Sequence, residues 1–189
     1  MTDAPTTADI LLDAAMQQFV RHGFSKTSMA DIAKAAGISR TSLYNHFPAK
    51  EDVFRALSSR MNERVYREVV AALSATAPWE RQLLDIINAR VGWVYELLHA
   101  SEYGRELINE KNRICGSAIL AANDRFAAIV AKLLARNLTA HAESTMLAHV
   151  LIQSVNGVLQ NAESKSQAEK DVTLLVGLFC KGLVSNWGR

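Results

Sequence analysis

The sequence predicts an all-α protein of about nine helices, with a three-helix module at the N-terminus and a larger helical domain after it. Three observations carry this. Apolar residues recur three and four positions apart in one segment after another, the period of a helix face. Ser28 and Asp31 stand in a reciprocal capping arrangement, and Gly37 falls where a left-handed residue ends a helix at least cost. The only convincing linker break is the stretch 74–78; Pro48 stops one helix, and the polar run SKSQAE at 164–169 is a loop between the last two.

Residues 1–6 are polar and expected to fray. Thr6 or Thr7 caps a first helix that runs to about His22, where Gly23 ends it. Leu11, Ala14, Ala15 and Phe19 give that helix an apolar face for Phe24, Ile32 and Leu43 to close. In SMADIAKAAGISRTSLYNHF (28–47), Ile32, Ala33 and Ala36 recur at helical spacing, and small Ala33 lets a second helix cross closely. Ile38 turns back into the small core, and Ser39 caps a second short helix over 40–47. Two short helices joined by a tight turn form a helix-turn-helix, whose second helix is placed to enter a DNA major groove. Arg40, Thr41 and Ser42 occupy its N-terminal turn, the part that reaches base edges. A guanidinium there donates in bidentate fashion to guanine, and a threonine offers a hydroxyl or a methyl. Tyr44, Asn45 and His46 lie further along, in reach of phosphates and sugars; Tyr44 also reads as half core, and His46 as packing on the next helix. Ser28 is both a cap and a DNA-facing candidate. Leu43 and Phe47, four apart, read as core.

At Thr27-Ser28, Asp31-Ile32-Ala33, Gly37-Ile38-Ser39, Leu43-Tyr44, His46-Phe47 and Lys50-Glu51 the sequence resembles the TetR family of bacterial transcriptional repressors. The run LYNHFPAKED (43–52) sharpens the match, which covers roughly the first third of the chain. The resemblance implies a DNA-binding domain at 1–48 and a ligand-binding and dimerisation domain at 49–189. It implies Lys50 on phosphate, a homodimer through the last two helices, and a near-palindromic double-stranded DNA operator. It also implies a small-molecule effector, bound among helices four to eight, that moves helix four and releases the operator. The family often has Ser or Asn where Ala49 stands, a loss worth about 1 kcal/mol of helix capping.

After Pro48 a long fourth helix starts near Lys50, with Glu51 and Asp52 at the positive end of its dipole. Phe54, Leu57, Met61 and Val65 stripe it to about Ser74. A fifth helix runs from Pro78 to about Ala100 and is apolar along two faces, one through Leu83, Ile87, Val91, Val94 and Leu98, the other through Ile86, Arg90, Trp93 and Leu97. Arg90 inside a stripe needs a partner, because an unpaired buried guanidinium is costly; the choices are an internal carboxylate such as Glu110, which is favoured, or the acid group of a ligand. A short sixth helix is expected over 102–111 and a seventh over 113–136, with Ile114, Ala118, Ala122, Ile129 and Leu133 inward. The last two are expected at 142–162 and 169–187. Leu147, Leu151, Val158, Leu174 and Leu178 leave apolar surface on them beyond one inward face, an excess that asks for a second subunit. Polar groups on these apolar helices nominate Arg90, Trp93, Tyr103, Asn112, Cys115, His149 and Gln153 as effector-pocket lining.

Composition bounds the alternatives. The chain has 189 residues, 49% hydrophobic and 21% charged, enough for one sizeable core plus a small module. Its first residues lack the basic region and cleavage pattern of a secretory signal. No stretch approaches the roughly 18–20 consecutive apolar residues of a bilayer span. Cys115 and Cys180 make no disulfide framework, so a reducing cytoplasm is the expected compartment. Net charge is +2, and residues 1–60 hold seven Lys/Arg against six Asp/Glu. Bulk charge therefore does not announce a nucleic-acid binder; the motif does. No G-x-S-x-G, P-loop, G-x-G-x-x-G or H-E-x-x-H is present, and the five histidines show no metal-ligand spacing, so neither an enzyme nor a metal or cofactor is expected. The competing reading is a DNA-binding regulator without a small-molecule pocket, controlled by a protein partner.

Overall fold

A computed structural model describes residues 4–73, 76–99, 101–137 and 143–184; for Trp93, Val94, Leu97 and Leu98 it describes the backbone alone. Among these residues are eight helices and no strand: α1 (Thr7–Lys26), α2 (Met29–Ala36), α3 (Arg40–His46), α4 (Lys50–Ala72), α5 (Trp79–His99), α6 (Gly104–Asn137), α7 (Ser144–Asn161) and α8 (Lys165–Val184). Ser74 of the expected linker, His141 and Trp187 lie outside the described residues, as do the side chains of Trp93, Val94, Leu97 and Leu98.

The local signals act as the sequence predicts. The Thr6 hydroxyl accepts from the Asp9 N–H at 3.1 Å while the Asp9 carboxylate accepts from the Thr6 N–H at 3.1 Å. Ser28 and Asp31 repeat the arrangement on α2, at 3.2 and 2.9 Å. The donors of Ser28 hold the Asp31 carboxyl below the usual aspartate range. Gly23 (φ 80, ψ 161) interrupts α1 after His22, and Gly37 (φ 69, ψ 25) closes α2 in the left-handed region.

Two boundaries differ from expectation. The sixth and seventh helices are one, α6, kinked at Cys115 (φ −117, ψ 16). Nothing between Lys111 and Arg113 stops a helix, so the chain bends rather than breaks. Beyond the kink the inward face is Phe126, Ala127, Val130, Leu133 and Leu134, whereas Ala118 is exposed. Likewise α8 starts at Lys165, inside the expected loop. The Ser164 hydroxyl accepts from the Gln167 N–H at 3.2 Å, and Ala168 is buried. The polar run is the solvated first turn of a capped helix.

The chain divides into two compact units, Met1–Glu63 with Glu96–Ile119, and Arg64–Tyr95 with Leu120–Arg189. Helices α4, α5 and α6 each contribute residues to both. In the first unit Leu11, Ala15, Phe19, Ile32 and Leu43 are fully buried. Phe19, Phe24 and Phe54 meet with ring centroids 5.1–5.5 Å apart, two of the three pairs edge-on, an arrangement that adds to the value of their buried area. The second unit is centred on Leu83 and Ile86 of α5, Val130 and Leu134 of α6, Ala148 and Leu151 of α7, and Val172 of α8. Leu151, expected to be spare apolar surface, is buried in this core. The most apolar stretch of α6 has a mean hydropathy of 1.4, enough by composition for a membrane span, which the count of consecutive apolar residues did not anticipate. Phe126, Ala127 and Val130 from this helix pack in the core of the second unit.

Candidate nucleic-acid interface

The site is built on α3, seven residues long. Its N-cap Ser39 accepts from the Ser42 N–H at 3.1 Å, and the Phe47 N–H closes the far end on the Leu43 carbonyl at 2.9 Å. Leu43 is fully buried and sets the rotation of the helix. At about 100° per residue, that places Thr41 and Asn45 opposite the anchor. Ser42 and Tyr44 fall to either side, and Arg40 and His46 on the flanks. Arg40, Thr41, Asn45 and His46 are exposed, Ser42 is partly so, and Tyr44 is 50% exposed. No described residue holds the Arg40 guanidinium, so its donors are free to face a base edge. Phe47 is half-buried with its ring 6.3 Å from that of His46.

Below α3, the α1–α2 connection is gripped from two sides. Lys50 Nζ donates to the Phe24 carbonyl at 2.6 Å and the Thr27 carbonyl at 2.8 Å, and lies 4.3 Å from the centroid of the Phe24 ring. The ammonium thus caps the C-terminal end of α1, where the dipole is negative. From α6, Glu106 Oε1 accepts the Ser25 N–H at 2.9 Å, which holds its carboxyl below the usual glutamate range, and Tyr103 lies under Lys26. Thr27 is buried and donates to the Gly23 carbonyl at 2.7 Å. Arg60 of α4 joins Asp13 of α1 at 2.6 Å. Sequence reasoning missed Glu106 and the carbonyl grip of Lys50, because partners so far apart leave no local pattern.

Gly23 fits this joint because it has no side chain. A Cβ there would collide with the Glu106 carboxylate and lie 2.9 Å from Tyr103 Cδ1, at a φ that L residues avoid. Gly23→Ala is expected to cost about 1–3 kcal/mol of stability in the first unit, read by chemical denaturation. An unchanged midpoint would show that the joint yields freely.

The seven pocket candidates are divided between the two units, and the side chain of Trp93 lies outside the described residues. Tyr103, Asn112 and Cys115 belong to the first unit, and Arg90, His149 and Gln153 to the second. Cys115 is buried at the kink and Asn112 is exposed. His149 and Gln153 lie on the exposed strip of α7 with Met146 and Val150. Glu110, in the first unit, pairs with Arg113 one turn on at 2.6 Å. Arg90 Nη2 donates to Asn123 Oδ1 at 2.6 Å. Two hollows of about 750 and 320 Å³ open in the second unit, one between α5 and α8 around Leu84, Val176 and Cys180, the other around Val91, Tyr95 and Ala168. Both have room for a small molecule, and neither is lined by any of the six candidates whose side chains are described.

Two short helices joined by a tight turn, the second anchored by buried Leu43 and exposed on its far side, form a helix-turn-helix module. Residues 11–57 match the model of a family described as bacterial regulatory proteins, tetR family. The chain is 31% identical over 129 residues to the HTH-type transcriptional regulator AcrR of Shigella flexneri, a match covering 57% of this chain and 60% of that protein. It spans about half the length of the curated relatives it matches. In fold it is similar to a TetR-like transcriptional regulator from Rhodococcus sp. RHA1 (TM-score 0.69, 23% identity, 98% of this chain and 100% of that one). It is also similar to SmeT in a SmeT–triclosan complex (TM-score 0.68, 22% identity, 93% and 90%). Through residues 11–57 the chain is similar to the TetR family of bacterial regulatory proteins, and the curated relatives it matches are named as transcriptional regulators.

Proposed function

We propose that this chain is a cytoplasmic, ligand-responsive repressor that binds a near-palindromic operator as a homodimer and is released by a small-molecule effector. The observation that carries the reading is α3 itself. Leu43 locks it, while Arg40, Thr41 and Asn45 stand exposed with no partner among the described residues. Residues 1–48 read DNA, and residues 49–189 receive the effector and dimerise. The exposed apolar residues Met146 and Val150 on α7 and Leu174 and Leu178 on α8 support dimerisation through these two helices, since bare leucines in one patch favour a partner. A two-fold dimer matches a two-fold site. Helices α4 and α6 both run from the effector-side unit into the unit that holds α3, so either can carry the signal. The effector need only prefer the spacing of reading heads that does not fit the operator.

Arg40→Ala tests the reading at residue level. It is expected to cost about 1–3 kcal/mol of operator binding and to relax base preference at one position of each half-site, measured by titrating a set of single-base operator variants. Equal weakening on every DNA would assign Arg40 to phosphate instead.

A further inference from the structure

We propose that Arg90 and Asn123 form a receptor for the carboxylate of a small organic acid whose apolar body lies beside Phe126. This rests on the reading of the second unit as the effector-binding part.

Arg90 presents five N–H donors. One of them goes to Asn123 Oδ1, and the guanidinium carbon lies 4.5 Å from the centroid of the Phe126 ring. Among the described residues of the second unit the ion pairs are Arg64–Glu68 and Arg81–Asp85, and no carboxylate there pairs with Arg90. Burial pushes the guanidinium down to about 10 with no opposing charge to raise it, so at neutral pH it is a cation without a counter-ion. Yet Arg90 is only half-buried, which leaves an edge of its fork within reach. With Oδ1 of Asn123 engaged, its two Nδ2 hydrogens are the free end of the amide. The remaining N–H groups of Arg90 and the amide N–H groups of Asn123 have no acceptor among the described residues. Such a set selects a partner that only accepts, and a planar carboxylate matches one guanidinium fork. Around it Ile86, Ile87 and Val130 are buried, a setting for hydrocarbon rather than for a second charge.

A cation held without a counter-ion is expected to serve binding at no benefit to stability. Two measurements on the full chain test this. The first is calorimetric titration with decanoate and 4-phenylbutyrate, each against its primary amide and amine of the same skeleton. At least one carboxylate is expected to bind about tenfold tighter than its amide, the amine weakest, and Arg90→Gln to erase the preference. Asn123→Leu reports the same loss should Arg90→Gln fail to fold. The second is the melting temperature of Arg90→Met without ligand, expected to hold level or rise. A fall of more than about 4 °C, roughly 1 kcal/mol in a chain of this size, would make Arg90 a structural residue and overturn the proposal. So would the lack of any carboxylate preference in the wild type, or a preference that survives in the variants. Carboxylate binding that leaves operator affinity unchanged would uphold the receptor and sink the effector reading instead.

Discussion

Replacing Leu174 and Leu178 together by glutamate is expected to leave a folded monomer and to lower affinity for a two-fold operator by about 100- to 10,000-fold, as when two linked reading heads become independent. Both leucines lie on one face of α8, four residues apart, and are 62% and 59% exposed. Neither belongs to the core of the second unit, which α8 meets through Ala168, Val172, Val176 and Cys180. The substitution therefore costs the monomer little, but in a dimer through this face it sets four carboxylates against apolar surface. Sedimentation equilibrium and an operator titration read the two effects. A double variant that stays dimeric and binds normally would move the interface elsewhere.

Lys50→Met carries the second large effect, and its direction separates two roles for that lysine. The ammonium satisfies the carbonyls of Phe24 and Thr27 at 2.6 and 2.8 Å. Hydrogen bonds with a charged partner contribute more than neutral ones, and both acceptors lose theirs at once, so the cost is about 2–4 kcal/mol. The melting temperature should fall by roughly 5–15 °C. A lysine serving phosphate alone would leave the melting temperature unchanged and reduce the salt slope of DNA binding by about 1. The ammonium has a third N–H, so a phosphate contact remains compatible with the carbonyl grip, and a fall in both quantities would assign both roles.

What the sequence made legible was local. Thr6 as one of two candidate caps of α1, Ser28 with Asp31, and the left-handed Gly37 are read within four residues, and each stands where expected, while the answering carboxylate of Asp9 emerged only in the structure. The anchors Phe19, Ile32 and Leu43 were legible too, because a short module has few apolar residues to choose among. What escaped was long-range. Glu106 meets Ser25 across 81 residues and Arg90 meets Asn123 across 33, and no periodicity encodes such pairs. Helix faces were the middle case. On α6, Ile129 and Leu133 face the core as expected, but Ala118 is exposed, and Phe126, Ala127, Val130 and Leu134 join the inward face. On α7, polar residues chosen as pocket lining fell on the exposed strip, since spacing reports that a helix has two faces and not what each one meets.

Selection from a random-sequence duplex pool by the purified full chain, followed by a salt-dependent titration of the enriched sequence, tests whether a two-fold dimer reads a two-fold DNA site through α3. The expected result is an inverted repeat that saturates at an even number of protomers, with binding that weakens steeply as salt rises. Enrichment of no motif, with affinity equal to that for random duplex at low and physiological salt alike, would overturn the proposed function.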